Sequence, residues 1–299
     1  MVTLKLFGDE SADATKSRVF AVAGVIGSES EWTLAETAWT ARTGGKPFHA
    51  NVCESEFVRD PDRQKHKDNL RLYEELTRIL AGSHLVGFAS ALALISHREY
   101  VPQVLADVAY YKCLTDVIGA AGRTARRFNE RPSEEDDVRL EFTFDSRLQS
   151  DGAAGTVYKM LRNQREWAGI DTLDTKVSFE DGPLPRLEMG DLLARESMKE
   201  LDRKITNARP KPRASYVALD ETRKFKFIEH DREYCAKWRE MLEQPEARAM
   251  WNAYEKWLSD TGRVQNGRPH DNMTNRALFY TWFENHEEPA TSDEANGVA

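Results

Sequence analysis

The chain has 299 residues, 40% of them hydrophobic, and a formal net charge of −8. That is enough apolar material for one large core or two modest ones. It contains no run near the roughly 20 uncharged apolar residues of a membrane span, so a cytoplasmic protein without a membrane partner is expected, and the acidic balance excludes a generic nucleic-acid coat, whose affinity would need many cations.

In chain order, residues 2–8 alternate, with Val2, Leu4 and Leu6 on one face and Thr3, Lys5 and Phe7 on the other, which predicts a strand ending at Gly8-Asp9-Glu10. Val19 to Ile26 reads as a second, buried strand, antiparallel to the first because the connection is short. Residues 28–43 look helical, and Leu70, Leu72, Tyr73, Leu76, Ile79 and Leu80 predict a helix over 68–80 that Gly82 closes. Together they form a helical insertion over 28–82. A strand over 84–94 and a helix from 97 past 118 follow, then an acidic loop over 129–137. Residues 138–145 alternate again, Leu140, Phe142 and Phe144 against Glu141, Thr143 and Asp145, so this strand also ends at an aspartate. A helix over 153–167, a strand over 172–179 and a helix over 187–202 complete an α/β domain, 1–208, with a mixed five-stranded sheet flanked by helices. Pro210 and Pro212 mark the boundary to a mainly helical extension, 209–286, with segments near 231–258 and 273–285 and an acidic tail, 287–299, expected to be disordered.

Cys53, Cys113 and Cys235 are odd in number and far apart, which predicts ordinary buried thiols rather than disulfides or a zinc knuckle. A polyanion would have to meet local cations. Arg203, Lys204, Arg209, Lys211, Arg213, Arg223, Lys224 and Lys226 stand in one stretch against Asp220 and Glu221, and Phe225 and Phe227 interleave with them. That pattern suits stacking on exposed bases, and it equally suits an amphipathic edge strand.

Two strands ending in Asp9 and Asp145 point to chemistry, because the carboxyl ends of parallel neighbours form the crevice where α/β sheets bind ligands. Adjacent carboxylates repel unless a proton or cation compensates them, and a hard divalent ion is suited to the task. Helical spacing sets Asp191 in line with Leu187, Ala194 and Met198 on an inward stripe, and Gly190 lets another backbone come close. The structural alternatives are a turn role for Asp9, a helix N-cap for Asp145, a capping or Arg195-paired role for Asp191, and a satisfied structural His49.

The segments Phe7-Gly8-Asp9-Glu10-Ser11-Ala12-Asp13, Phe20 to Ile26, Phe48-His49-Ala50, Phe144-Asp145 and Leu187-Glu188-Met189-Gly190-Asp191-Leu192-Leu193-Ala194 together resemble the domain-of-unknown-function 3800 family over residues 4 to 200. Ala12, Glu188 and Gly190 depart from its usual glycine, glutamine and alanine. The resemblance implies an RNase H-like fold and a metal-dependent nuclease acting on DNA or RNA, in a defence or mobile-element setting. It implies that Asp9 bridges two Mg²⁺ or Mn²⁺ ions roughly 3.5 to 4 Å apart, as such sites require. Asp145 and Asp191 would complete the coordination, Glu10 or Glu188 would supply a further oxygen, and His49 would assist proton transfer. The competing expectation is a non-catalytic subunit that keeps the scaffold and binds nucleic acid, a protein partner or a second copy of itself.

Overall fold

The computed structural model describes residues 2–59, 63–100, 109–129, 138–146, 172–180, 182–265 and 268–269, together with 155, 158, 159, 161 and 162. The expected loop over 129–137, most of the helix over 153–167, the segment over 273–285 and the tail lie largely or wholly outside these residues.

Five strands of the sheet are β1 (Val2–Ala12), β2 (Val19–Ser28), β3 (Val86–Ala93), β4 (Val138–Asp145) and β5 (Leu173–Glu180). A sixth, β6 (Phe225–His230), joins them, and the order is β5-β4-β1-β2-β3-β6. The expectation of five strands is therefore corrected to six among the described residues. The extra one is the aromatic and basic run, whose alternation buries Phe225 while Lys226 stays exposed. β2 is antiparallel to β1 and β3, and the other pairings are parallel. All strands except β2 thus end at the same side of the sheet.

Helices described in the first unit include α1 (Glu29–Thr43), α2 (Ala50–Arg59), α3 (Arg63–Gly82), α4 (Leu94–Tyr100), α5 (Ala109–Asn129), α6 (Pro185–Thr206) and α7 (Ala214–Asp220). Helix α1 starts in a capping box, with Glu31 accepting from the Ser28 backbone and Ser28 from that of Glu31, and stops at left-handed Gly44. Pro185 opens α6, where its missing N–H costs nothing.

Helix α6 crosses β1, β2 and β3. Its Leu187, Met189, Leu192 and Leu193 form one core with Phe7, Val25 and Ala89 of the sheet, Trp32 and Trp39 of α1, Phe48, and Tyr73 and Leu76 of α3. Ser90, next to Ala89, instead bonds Asp116 of α5. Successive strand side chains point to opposite faces, so α5 covers the other side of the sheet. Its buried Cys113, Leu114, Val117 and Ile118 supply the second core layer. Cys53, Cys113 and Cys235 are buried.

The chain divides into compact units Met1–Arg239 and Glu240–Ala299. Helix α8 (Arg232–Leu242) runs past the end of the first unit. The second unit holds α9 (Pro245–Asp260) and the short pair β7 (Val264–Gln265) and β8 (Arg268–Pro269), with Tyr254, Trp257 and Leu258 in a small core. The sheet reaches beyond Pro212, so the extension from 209 is not all helix. No helix among the described residues is long and apolar enough to cross a membrane.

Candidate carboxylate site at the strand ends

The pairing of β1 with β4 is parallel and runs from Val2 opposite Val138 to Gly8 opposite Phe144. Asp9 and Asp145 are the next residues on strands about 4.8 Å apart. They share the face of Phe7 and Thr143, which α6 covers. The ladder continues into β5, where Asp145 stands opposite Glu180. Three neighbouring parallel strands therefore carry an acid at the same level and on the same face. Glu180 was not among the expected site residues. Its signal was the same as that of Asp9 and Asp145, a strand ending in an acid, but the expected strand stopped one residue short of it.

Helix α6 brings the fourth acid. A methyl group on Gly190 would lie 3.2 Å from the Asp9 nitrogen, 3.2 Å from Gly8 Cα and 3.3 Å from Gly8 C. The glycine thus sets the helix directly on the β1 backbone where Asp9 begins, and Asp191 follows. Gly8 is equally constrained, since a methyl there would meet Ala23 O and the Phe144 ring at 2.6 Å.

Two carboxylates of α6 clamp the segment before α2. Glu188 Oε1 accepts from Phe48 N at 3.1 Å and Oε2 from the Trp39 indole at 2.7 Å, while Asp191 Oδ2 accepts from Ala50 N at 2.8 Å. Ala50 opens α2, so Asp191 caps that helix where a negative charge is favoured. His49, between the two clamped residues, is exposed and near enough for its charge to favour ionised Glu188. Burial is the largest influence on Glu188 and raises its pKa. With both oxygens engaged by neutral donors, Glu188 is an anchor for Trp39 and Phe48 rather than the metal ligand expected. Arg195, the expected partner of Asp191, instead reaches Glu54 at 2.7 Å and Ala12 O at 3.3 Å.

Glu10 follows Asp9 on β1 and so points to the opposite face, while its N–H donates to Asp9 Oδ1 at 2.6 Å. It is not brought to the acids. Asp13, quoted only as part of a motif, proves to be the organiser of the β1–β2 turn. Its carboxylate accepts from the Thr15 hydroxyl and from the N–H groups of Thr15, Ser17, Arg18 and Val19. Burial alone would raise its pKa, but these donors hold it well below the usual carboxylate range.

The donor set of Asp9, Asp145, Glu180 and Asp191 is all oxygen and suits a hard divalent cation. In the present conformation, among the described residues, no three His, Cys, Asp or Glu side chains already converge on a point that would hold an ion.

The eight expected nucleic-acid-binding cations do not form one surface. Arg203 pairs with Glu200 at 2.6 Å, Lys204 with Glu229 at 2.5 Å, and Arg213 with Glu54 at 3.0 Å and Glu196 at 3.3 Å. Lys224 donates to the carbonyls of Ala81 and Ser83. Arg223 occupies a left-handed position at φ 57 beside β6. Arg209, Lys211 and Lys226 are exposed. Phe225 and Phe227 pack toward α6, so Lys226 points to the α5 side, away from Arg213.

A scan against protein-family models gives no match to this chain, and a search of curated proteins gives none either.

Proposed function

We propose that the chain is a nuclease of RNase H-like fold, dependent on Mg²⁺ or Mn²⁺, that hydrolyses phosphodiester bonds of DNA or RNA. The observation that carries this reading is the register that sets Asp9 beside Asp145 on the face where Gly190 seats α6 and Asp191. The sheet order, with β1 between antiparallel β2 and parallel β4, supports an RNase H-like reading, and with it the likeness to the domain-of-unknown-function 3800 family. Asp9 and Asp145 would hold the cation, with Asp191 contributing the oxygen not used in capping Ala50 and Glu180 an outer contact. Bound there, a hard divalent cation supplies electrostatic stabilisation of the charge that develops on the phosphodiester oxygens. His49, exposed beside the Asp191-capped turn, would accept or return a proton. Glu188 and Trp39 fix that turn.

Cleavage of single-stranded, double-stranded and hybrid substrates with Mg²⁺ or Mn²⁺ tests the reading. Asp9→Asn, Asp145→Asn and Asp191→Asn should each lower the rate by about a hundredfold or more, and His49→Gln by less. Wild-type rates in the Asp9→Asn and Asp145→Asn proteins would remove the mechanism. A second reading, a non-catalytic binding subunit, is favoured by the capping role of Asp191, which is sufficient by itself to account for that acid. It predicts nucleic-acid or protein binding that is indifferent to these substitutions and to metal.

A further inference from the structure

On the α5 side of the sheet, away from the strand-end acids, two buried histidines carry ring nitrogens that have no hydrogen-bond partner among the described residues. His230 is the last residue of β6 and stands opposite Leu92 of β3. His97 lies in α4, which begins as β3 ends. Both therefore lie over the carboxyl ends of a parallel pair. One face of α8 meets them both, with Tyr234 4.0 Å from the His230 ring and Trp238 5.6 Å from the His97 ring. The two aromatic rings are 6.2 Å apart. The imidazoles are near enough that a charge on His230 disfavours one on His97.

Asp116 fixes the tautomer of His230. Its Oδ2 lies 2.5 Å from His230 Nε2 and accepts from Ser90 at 2.9 Å, and its Oδ1 accepts from Lys112 at 2.5 Å. Burial would raise the Asp116 pKa, but His230 and Lys112 outweigh it and keep the acid ionised. An ionised carboxylate only accepts, so Nε2 carries the proton and Nδ1 of neutral His230 presents a lone pair. Among the described residues that Nδ1 has no hydrogen-bond partner, and neither has either nitrogen of His97. His97 is fully buried and His230 is 3% exposed. Three orphaned nitrogens in one interior region are costly, since each lost bond leaves a desolvated group.

We propose that His97 and His230 are protein ligands of a buried site for a divalent d-block cation such as Zn²⁺, with Asp116 as the carboxylate that orients His230. Neutral imidazole suits such ions, and a ligating histidine normally gives its other N–H to a carboxylate. Two nitrogens leave the remaining positions of a tetrahedral ion to solvent or a small anion. Lys112 and Arg98 are the nearby cations, the first already paired with Asp116 and the second exposed. The site is separate from the carboxylates at Asp9 and Asp145 and does not depend on the nuclease reading.

The test uses chelator-treated full-length Asp9→Asn protein, so that the strand-end acids contribute least, titrated with Co²⁺ and then Zn²⁺. One Co²⁺ per chain with visible d–d absorption, displaced by Zn²⁺, is expected. Asp116→Asn should weaken Zn²⁺ binding 10- to 100-fold, and His97→Gln or His230→Gln should abolish the absorption. In the wild-type chain, Zn²⁺ should move the ring ¹⁵N signals of His97 and His230 and leave those of His49 in place. Absence of visible absorption, its persistence in both histidine variants, or unmoved ¹⁵N signals would overturn the proposal. The ¹⁵N result decides the matter even if a variant fails to fold. Zn²⁺ binding here in a protein that cleaves nothing would retire the nuclease reading alone.

Discussion

Gly190 is the residue on which the geometry turns, because the space its missing side chain leaves is filled by the backbone of Gly8 and Asp9. Gly190→Ala would gain about 1 kcal/mol of intrinsic helix propensity, yet its methyl would meet the Gly8 and Asp9 backbone at 3.2 Å, tighter than an ordinary contact. A net loss of about 1–3 kcal/mol in denaturant melts is expected, and an unchanged or raised stability would contradict the close contact. A second expectation concerns pH. Burial, first, and Arg98 and His230 after it push the His97 imidazole down from 6.5 to about 4. The unfolded chain then binds the proton more readily, so the contribution of neutral His97 is complete above about pH 6.5 and is lost as pH falls toward 4. Melts with chelator present should lose up to about 3 kcal/mol over that window, and His97→Gln should flatten the profile. Asp9 and Asp145 were legible in the sequence because strand period and terminal acid coincide there. The partners of Arg195 and Asp191 were not, since Glu54 and Ala50 each lie 141 residues away along the chain.

At the scale of elements, the segment ahead of α2 is held by α6 rather than by its own sequence. Glu188 satisfies the Trp39 indole and the Phe48 N–H at once. In Glu188→Gln one of these donors would face an amide N–H₂, and a loss of about 1–3 kcal/mol is expected. The Trp39 near-ultraviolet circular dichroism should change as well, whereas an unchanged signal would show that Glu188 does not fix the indole. Local pattern was sufficient to locate β1, β2, β4, α1, α3 and α6: β4 alternates buried and more open positions, while β2 is a short apolar run buried on both faces. It was not sufficient for β6, where Phe225, Lys226 and Phe227 alternate in a way that serves a base-stacking surface and an edge strand alike. Parallel pairing with β3 decides it, and that pairing depends on chain more than 130 residues upstream. The stretch over 97–118 was read as one helix and is described as α4 and α5, on either side of residues 101–108.

For the whole molecule, the sheet needs β6, so a chain ended at residue 208 would strip the edge of β3 and bare Phe88 and Ala89. A chain ended after Leu242, the close of α8, keeps the six strands. The longer fragment should melt cooperatively and the shorter should not. The prolines at 210 and 212 suggested a boundary because they interrupt helix, but a loop between α6 and α7 interrupts helix equally well. The α/β class followed from the alternation of element types along the chain, while the order of the strands required long-range pairings that no local pattern encodes. This order sets Asp9 beside Asp145, and calorimetric titration with Mn²⁺ shows whether the pair holds a cation. Wild-type protein should bind Mn²⁺ with an affinity that Asp9→Asn and Asp145→Asn each reduce at least about tenfold. Equal binding by all three proteins, or none by the wild type, would contradict it.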